Sequence, residues 1–211
     1  VFVHRPAGYD LRRPVVVLYV HGLYTDVAGA WRDHRIAAQF QASRRNAILI
    51  APEAPAAGAQ APHFPDLKAL LRELGAALPG VIPSQGPIVA VGHSGAYRTI
   101  VGWLDHPRLE HVILVDGLYG NEQEYGDWLA GAAKRRLTLT VLTTGKWVDV
   151  LLERFRGAVR LPRIPTGPVP ARARGARIVT MAAQWGHMEQ ITEGRTLPVL
   201  LRMTSLPARR H

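Results

Sequence analysis

The sequence contains no cysteine. Disulfides, thiolate metal sites and a cysteine nucleophile are therefore excluded. The compartment stays open, because proteins of either compartment can lack disulfides. Lysine is scarce. Of 26 basic side chains only Lys68, Lys134 and Lys146 are lysines, an arginine bias that a GC-rich genome would produce. Acidic residues number only 16, which leaves a formal net charge of +10. A surface this basic attracts polyanions such as cell-wall polymers, acidic lipids or nucleic acid. A solvated surface with no specific partner is the simpler reading, and no nucleic-acid motif or interleaved basic and aromatic pattern accompanies the charge. No apolar run reaches the roughly 18 residues that a membrane span needs, so no transmembrane segment is expected. Residue 1 opens into strand-like sequence without a charged leader. The expectation is a cytoplasmic chain, or an exported one with its signal already removed. A phosphate-binding glycine loop and a dinucleotide fingerprint are both missing, so no cofactor is expected. Asp33 and His34 lack a third ligand at suitable spacing, so no metal is expected either.

What is present is ordinary globular material. The chain has 211 residues, 47% hydrophobic and 20% charged. These values fit one domain over residues 1–211 with a sizeable core. Val1 to His4 reads as an edge strand. Val15 to Val20 is a continuous β-branched run, hence a strand buried on both faces. Thr25 or Asp26 can cap a helix over roughly Ala30 to Ala42. Asn46 to Ala51 is a second buried strand, and Pro52 to Pro65 a loop rich in Pro and Ala. Asp66 opens a helix to about Leu78. Ile88 to Gly92 is the next strand, followed by a helix to about Leu104. His111 to Val115 and Leu137 to Leu142 read as strands, Glu122 to Arg135 and Asp149 to Phe155 as helices. Arg160 to Arg174 is a loop rich in Pro and Arg. Ala176 to Met181 is the last strand, and Thr196 to Thr204 a terminal helix. This alternation implies an α/β fold with a mostly parallel, doubly wound sheet flanked by helices. Reactive groups of such sheets gather beyond the carboxyl ends of the strands.

One stretch stands out, Pro87 to Arg98, P-I-V-A-V-G-H-S-G-A-Y-R. A buried strand turns abruptly through small residues into a helix, with Ser94 at the corner. That is the pattern of a nucleophile elbow. The alternative, a serine that merely caps the helix, explains the flanking residues less well. Tyr19-Val20-His21-Gly22 ends an earlier strand, and Gly186-His187 follows the last one. With Gly92-His93-Ser94-Gly95-Ala96, these residues make the chain resemble the α/β-hydrolase superfamily along nearly its whole length. Two departures stand out. Ala96 replaces the second glycine of the elbow motif, and the first strand or two of the family's sheet are missing, which implies a compact member.

The resemblance implies a serine hydrolase that forms an acyl-enzyme on Ser94. A serine hydroxyl needs a positioned base. Of nine histidines, only His187 follows the final strand in a short loop, where the family places its base. The acid has two candidates. Asp116 ends the strand after the elbow in V-I-L-V-D-G. Asp149 follows the penultimate strand, the more usual place, but falls within the expected helix. Asp116 is favoured, because the family's usual strand order sets its strand beside the elbow strand, about 4.8 Å away, and its carboxylate can then reach His187. The oxyanion hole is expected from the backbone N–H groups of Gly95 and of Leu23, or alternatively Tyr24. Tyr24, Tyr119, Trp185 and Met188 are candidates for a substrate pocket, although aromatics there can equally be packing residues.

The expected substrate is an ester or amide, as a small molecule or a polymer. Only about twenty residues separate Asp116 from Leu137, which leaves little room for a cap over the site. An open site on a basic surface suits a bulky or anionic substrate such as a cell-envelope polymer. A small-ester esterase is as consistent with the residues, with an amidase or peptidase of cell-wall peptides close behind. A non-catalytic hydrolase-like protein that holds a polyanion is the reading from another class.

Overall fold

In the computed structural model, residues 1–209 are described. The strands are β1 Phe2–His4, β2 Val16–Val20, β3 Ile48–Ala51, β4 Ile88–His93, β5 Leu109–Val115, β6 Arg136–Val141, β7 Val159–Leu161 and β8 Ile178–Ala182. They form one eight-stranded sheet in the order β1-β3-β2-β4-β5-β6-β8-β7. Every pairing is parallel except that of β1 with β3. The central strands are apolar at nearly every position because helices cover both faces. Along β2, Val16, Leu18 and Val20 enter one core, while Val17 and Tyr19 enter the other.

The helices in chain order are α1 Val27–Asp33, α2 Ile36–Ala42, α3 Leu67–Ala77, α4 Tyr97–Val101 and α5 Glu122–Ala130. They continue with α6 Gly145–Glu153, α7 Ala171–Arg174, α8 Glu189–Thr192 and α9 Thr196–Met203. Side chains of α3, α4, α5 and α6 build the first core. Those of α1, α2, α7, α8 and α9 build the second. The chain therefore has the mostly parallel, helix-flanked sheet expected of it. No helix among the described residues is long and apolar enough to cross a membrane.

Several boundaries differ from the sequence reading. The helix expected over Ala30 to Ala42 is two helices, broken where Arg35 adopts φ 50°. The break lets His34 point inward. Its ring lies 3.4 Å from the Tyr19 hydroxyl, and its carbonyl accepts from the Gln39 side chain at 2.7 Å. The first helix starts early because Asp26 accepts from the Gly29 N–H at 2.6 Å, an N-cap contact. The helix α5 stops at Ala130, with Gly131 as its cap. The helix α6 starts at Gly145, so Asp149 lies in its second turn. The segment read as a Pro and Arg loop holds β7 and α7. Only three residues of β7 pair with β8, too few to show as a pattern in the sequence. With it the sheet has eight strands.

Candidate active site

Ser94 follows directly on β4, in a 3-10 turn over Ser94–Ala96 that leads into α4. Its φ is 53°, a left-handed conformation that costs a non-glycine residue free energy. Packing at the corner holds it there. A Cβ added to Gly92 would lie 2.6 Å from Ile100 Cδ1 and 2.9 Å from Ala96 Cβ, so the strand and helix meet over Gly92. Ala96 is buried in this joint, and its methyl occupies the space against Gly92. A Cβ on Gly22, just past β2, would lie 2.9 Å from Ser94 Cβ. One on Gly117, just past β5, would lie 3.0 Å from the Ser94 carbonyl. Three adjacent strand ends thus close on one serine. These contacts follow from the parallel register, which aligns Val20 with Gly92 and His93 with Val115.

Asp116 leaves the end of β5 with φ 41° and is fully buried. Its Oδ2 lies 2.7 Å from His187 Nδ1. Its Oδ1 accepts from the N–H groups of Leu142 and Thr143, both at 2.9 Å. The hydroxyl of Thr143 donates to Oδ2 at 2.9 Å, and that of Thr144 to Oδ1 at 3.1 Å. Burial alone pushes this carboxyl's pKa up. The hydrogen bonds from His187, Leu142 and Thr143 outweigh burial and hold the group well below the usual carboxylate range. Asp149, by contrast, lies on α6 with its side chain 68% exposed, 3.5 Å from Arg160. Of the two acid candidates, Asp116 is the one that meets His187.

His187 sits in the loop between β8 and α8. Gln184 fixes this loop through two hydrogen bonds to the backbone of Ile164, at 2.9 and 2.8 Å. The His187 carbonyl accepts from His93 Nε2 at 3.1 Å, and the two rings pack with centroids 4.6 Å apart. Burial, then the neighbouring His187, push the pKa of His93 down to about 3, so its ring is neutral. No hydrogen bond joins His187 to Ser94 among the described residues. Such bonds are often open in a resting site and close around substrate.

The loop after β2 lies across the elbow. A Cβ on Gly95 would stand 2.7 Å from Leu23 Cγ. The Tyr24 N–H is taken by the Ala56 carbonyl at 2.7 Å. Leu23 N has no acceptor among the described residues, and Gly95 N lies in the first turn of a helical segment, where N–H groups lack internal partners. His21 anchors the loop, with Nδ1 2.7 Å from the Gly22 carbonyl and Nε2 2.7 Å from Glu53 Oε1.

A cavity of about 460 Å³ opens beside Ser94, lined by Leu23, Gly58, Gly95, Tyr97, Arg98 and Tyr119. Of the four aromatic and sulfur-bearing candidates, Tyr119 lines it. Tyr24 is 92% exposed, turned outward by its φ of 67°. Trp185 packs against the second core and lines a different groove with Pro165 and Pro198. Met188 is exposed. Sequence reasoning did not single out Thr143, Thr144 or Arg98 around this site, and it set His93 aside as part of the elbow. Thr143 and Thr144 occupy the place where an acid is more usual, and their hydroxyls are what a buried carboxylate on the next strand requires. Asp33 pairs with Arg32 at 2.7 Å rather than joining His34.

No protein-family model matches the sequence. No curated protein matches it either. Solved structures do resemble the fold. A ferulic acid esterase aligns with a TM-score of 0.56 and 11% identity, covering 89% of this chain and 84% of that one. An α/β-hydrolase family protein from Desulfitobacterium hafniense aligns at 0.51 and 14% identity, covering 95% and 98%. The thioesterase domain of the curacin biosynthetic pathway aligns at 0.51 and 13% identity, covering 91% and 92%. The chain thus has the α/β-hydrolase fold along most of its length.

Proposed function

We propose that this protein is a single-domain serine hydrolase that cleaves an ester through an acyl-enzyme. The observation that carries this reading is the 2.7 Å contact between His187 Nδ1 and the buried Asp116, beside a strained elbow serine. His187 Nε2 takes the Ser94 proton as Oγ attacks the substrate carbonyl. The N–H groups of Leu23 and Gly95 receive the negative charge that forms on the carbonyl oxygen. His187 then gives the proton to the leaving group as the acyl–oxygen bond breaks. Water, deprotonated by the same imidazole, releases the acid and restores Ser94. Asp116 fixes the proton on Nδ1 and stabilises the imidazolium in both halves. The donors around Asp116 keep it ionised, which this role requires.

The hydrolase names among the structural neighbours support the reading at the level of fold. A fluorophosphonate probe tests it directly. The folded wild-type protein is expected to label at Ser94 and to hydrolyse p-nitrophenyl esters, with Ser94→Ala inert in both assays. A folded protein that neither labels nor turns over esters, thioesters or peptidyl amides would instead be a non-catalytic binder.

A further inference from the structure

The cavity beside Ser94 contains one charge, and no carboxylate among the described residues pairs with it. Arg98 lies four residues after Ser94, and both line the cavity. Its guanidinium donates to the carbonyls of Gly58 and Gln60, the latter at 3.3 Å. These bonds hold the loop after β3 as a cavity wall. They use two of the five N–H donors of the group and leave its charge intact. No Asp or Glu lines the cavity, and no ion pair among the described residues includes Arg98. A second cation stands behind Tyr119. The Lys146 ammonium lies 4.1 Å over the Trp147 ring, and Trp147 packs edge-on against Tyr119 at 5.2 Å. Lys146 is exposed and also without an ion-pair partner among the described residues.

The cavity meets the reacting carbonyl at Leu23 and Gly95, the oxyanion residues of the proposed mechanism. Its Tyr119 wall lies edge-on to the His187 ring, with centroids 6.4 Å apart.

We infer that the substrate's acyl group carries a carboxylate, and that Arg98 binds it within the cavity that Tyr97 and Tyr119 line. This rests on the serine-hydrolase reading and adds the substrate class. A short aliphatic spacer joins the carboxylate to the reacting carbonyl. The tyrosine rings cover the spacer, and a free guanidinium N–H meets the far oxygen.

The test compares two p-nitrophenyl esters of matched length, the hydrogen glutarate and the hexanoate, with spontaneous hydrolysis subtracted using Ser94→Ala. The wild type is expected to favour the glutarate in kcat/KM by about tenfold, the scale of one charge-assisted hydrogen bond. Arg98→Gln is expected to remove that preference through KM. Arg98→Lys keeps the charge but not the fork of donors, and is expected to retain part of the preference. Salt gives a readout on the unaltered protein. Raising NaCl to about 0.5 M should raise KM for the glutarate and leave the hexanoate unchanged. If Arg98→Gln slows both esters equally, the residue is only a wall strut and the inference is wrong. A wild type that labels with fluorophosphonate yet prefers the hexanoate also overturns it. Absence of both labelling and turnover removes the hydrolase reading itself, and this inference with it.

Discussion

Asp116→Asn is the most informative single change. The Asp116 carboxylate accepts five hydrogen bonds. Asparagine keeps the shape but turns one oxygen into an NH₂ group. The remaining oxygen belongs at the Oδ1 position, where two backbone N–H groups converge and cannot reverse. The NH₂ group then falls at Oδ2, facing the Thr143 hydroxyl and His187 Nδ1. Thr143 can rotate its proton away. His187 can accept at Nδ1 only by moving its own proton to Nε2. That tautomer faces Ser94 with a hydrogen rather than a lone pair, and cannot take the serine proton. The expected loss in kcat is about 10³- to 10⁴-fold, with KM little changed. Folding stability should fall by about 1–3 kcal/mol, from the exchange of charge-assisted bonds for neutral ones. The fold is retained because volume and the main contacts are conserved. The assay is steady-state hydrolysis of a p-nitrophenyl ester beside a urea melt, with Asp149→Asn as the control. Asp149 is exposed and, among the described residues, pairs only with Arg160. Its variant should match the wild type. Activity within threefold of wild type in Asp116→Asn, or loss in Asp149→Asn, refutes the assignment.

Thr143→Val removes one donor to Asp116 and the partner of the Tyr119 hydroxyl at 2.6 Å. It should cost about 1 kcal/mol of stability and lower kcat about tenfold, read from a melt and initial rates. Gly22→Ala places a methyl against Ser94 and the His93 carbonyl, at 2.9 and 3.0 Å. It should destabilise by about 1–3 kcal/mol and slow fluorophosphonate labelling while circular dichroism stays native. Acid should destabilise the protein from near neutrality. Burial pushes His93 and His111 down from 6.5 to about 3. In that window the unfolded chain binds these protons and the folded one does not, so stability falls as pH falls, by about 1.4 kcal/mol per pH unit for each ring. Asp116, held low in the fold, adds a further loss as pH drops through and below the usual carboxylate range. Urea midpoints that stay flat from neutral pH to about pH 4 would contradict the burial of both rings.

The sequence by itself determined the layered α/β architecture, because central strands such as β2 and β4 are apolar on both faces and alternate with helical segments. It also determined the elbow. Gly92, Ser94, Gly95 and Ala96 are local requirements of one corner, and a local requirement is written in adjacent residues. Where a feature depended on partners far along the chain, the sequence was ambiguous. The break at Arg35 answers to Tyr19 and to the inward turn of His34. The strand β7 exists only through its pairing with β8. The pocket aromatics could not be sorted, since the direction of a loop side chain is set by what it packs on, and Trp185 turns to the second core while Tyr119 turns to the cavity. The sequence favoured Asp116 over Asp149, and the contact that separates the two is tertiary. The order of β5, β6 and β8 in the sheet carries His187 over Asp116, and the hydroxyls of Thr143 and Thr144 solvate a carboxylate that water cannot reach.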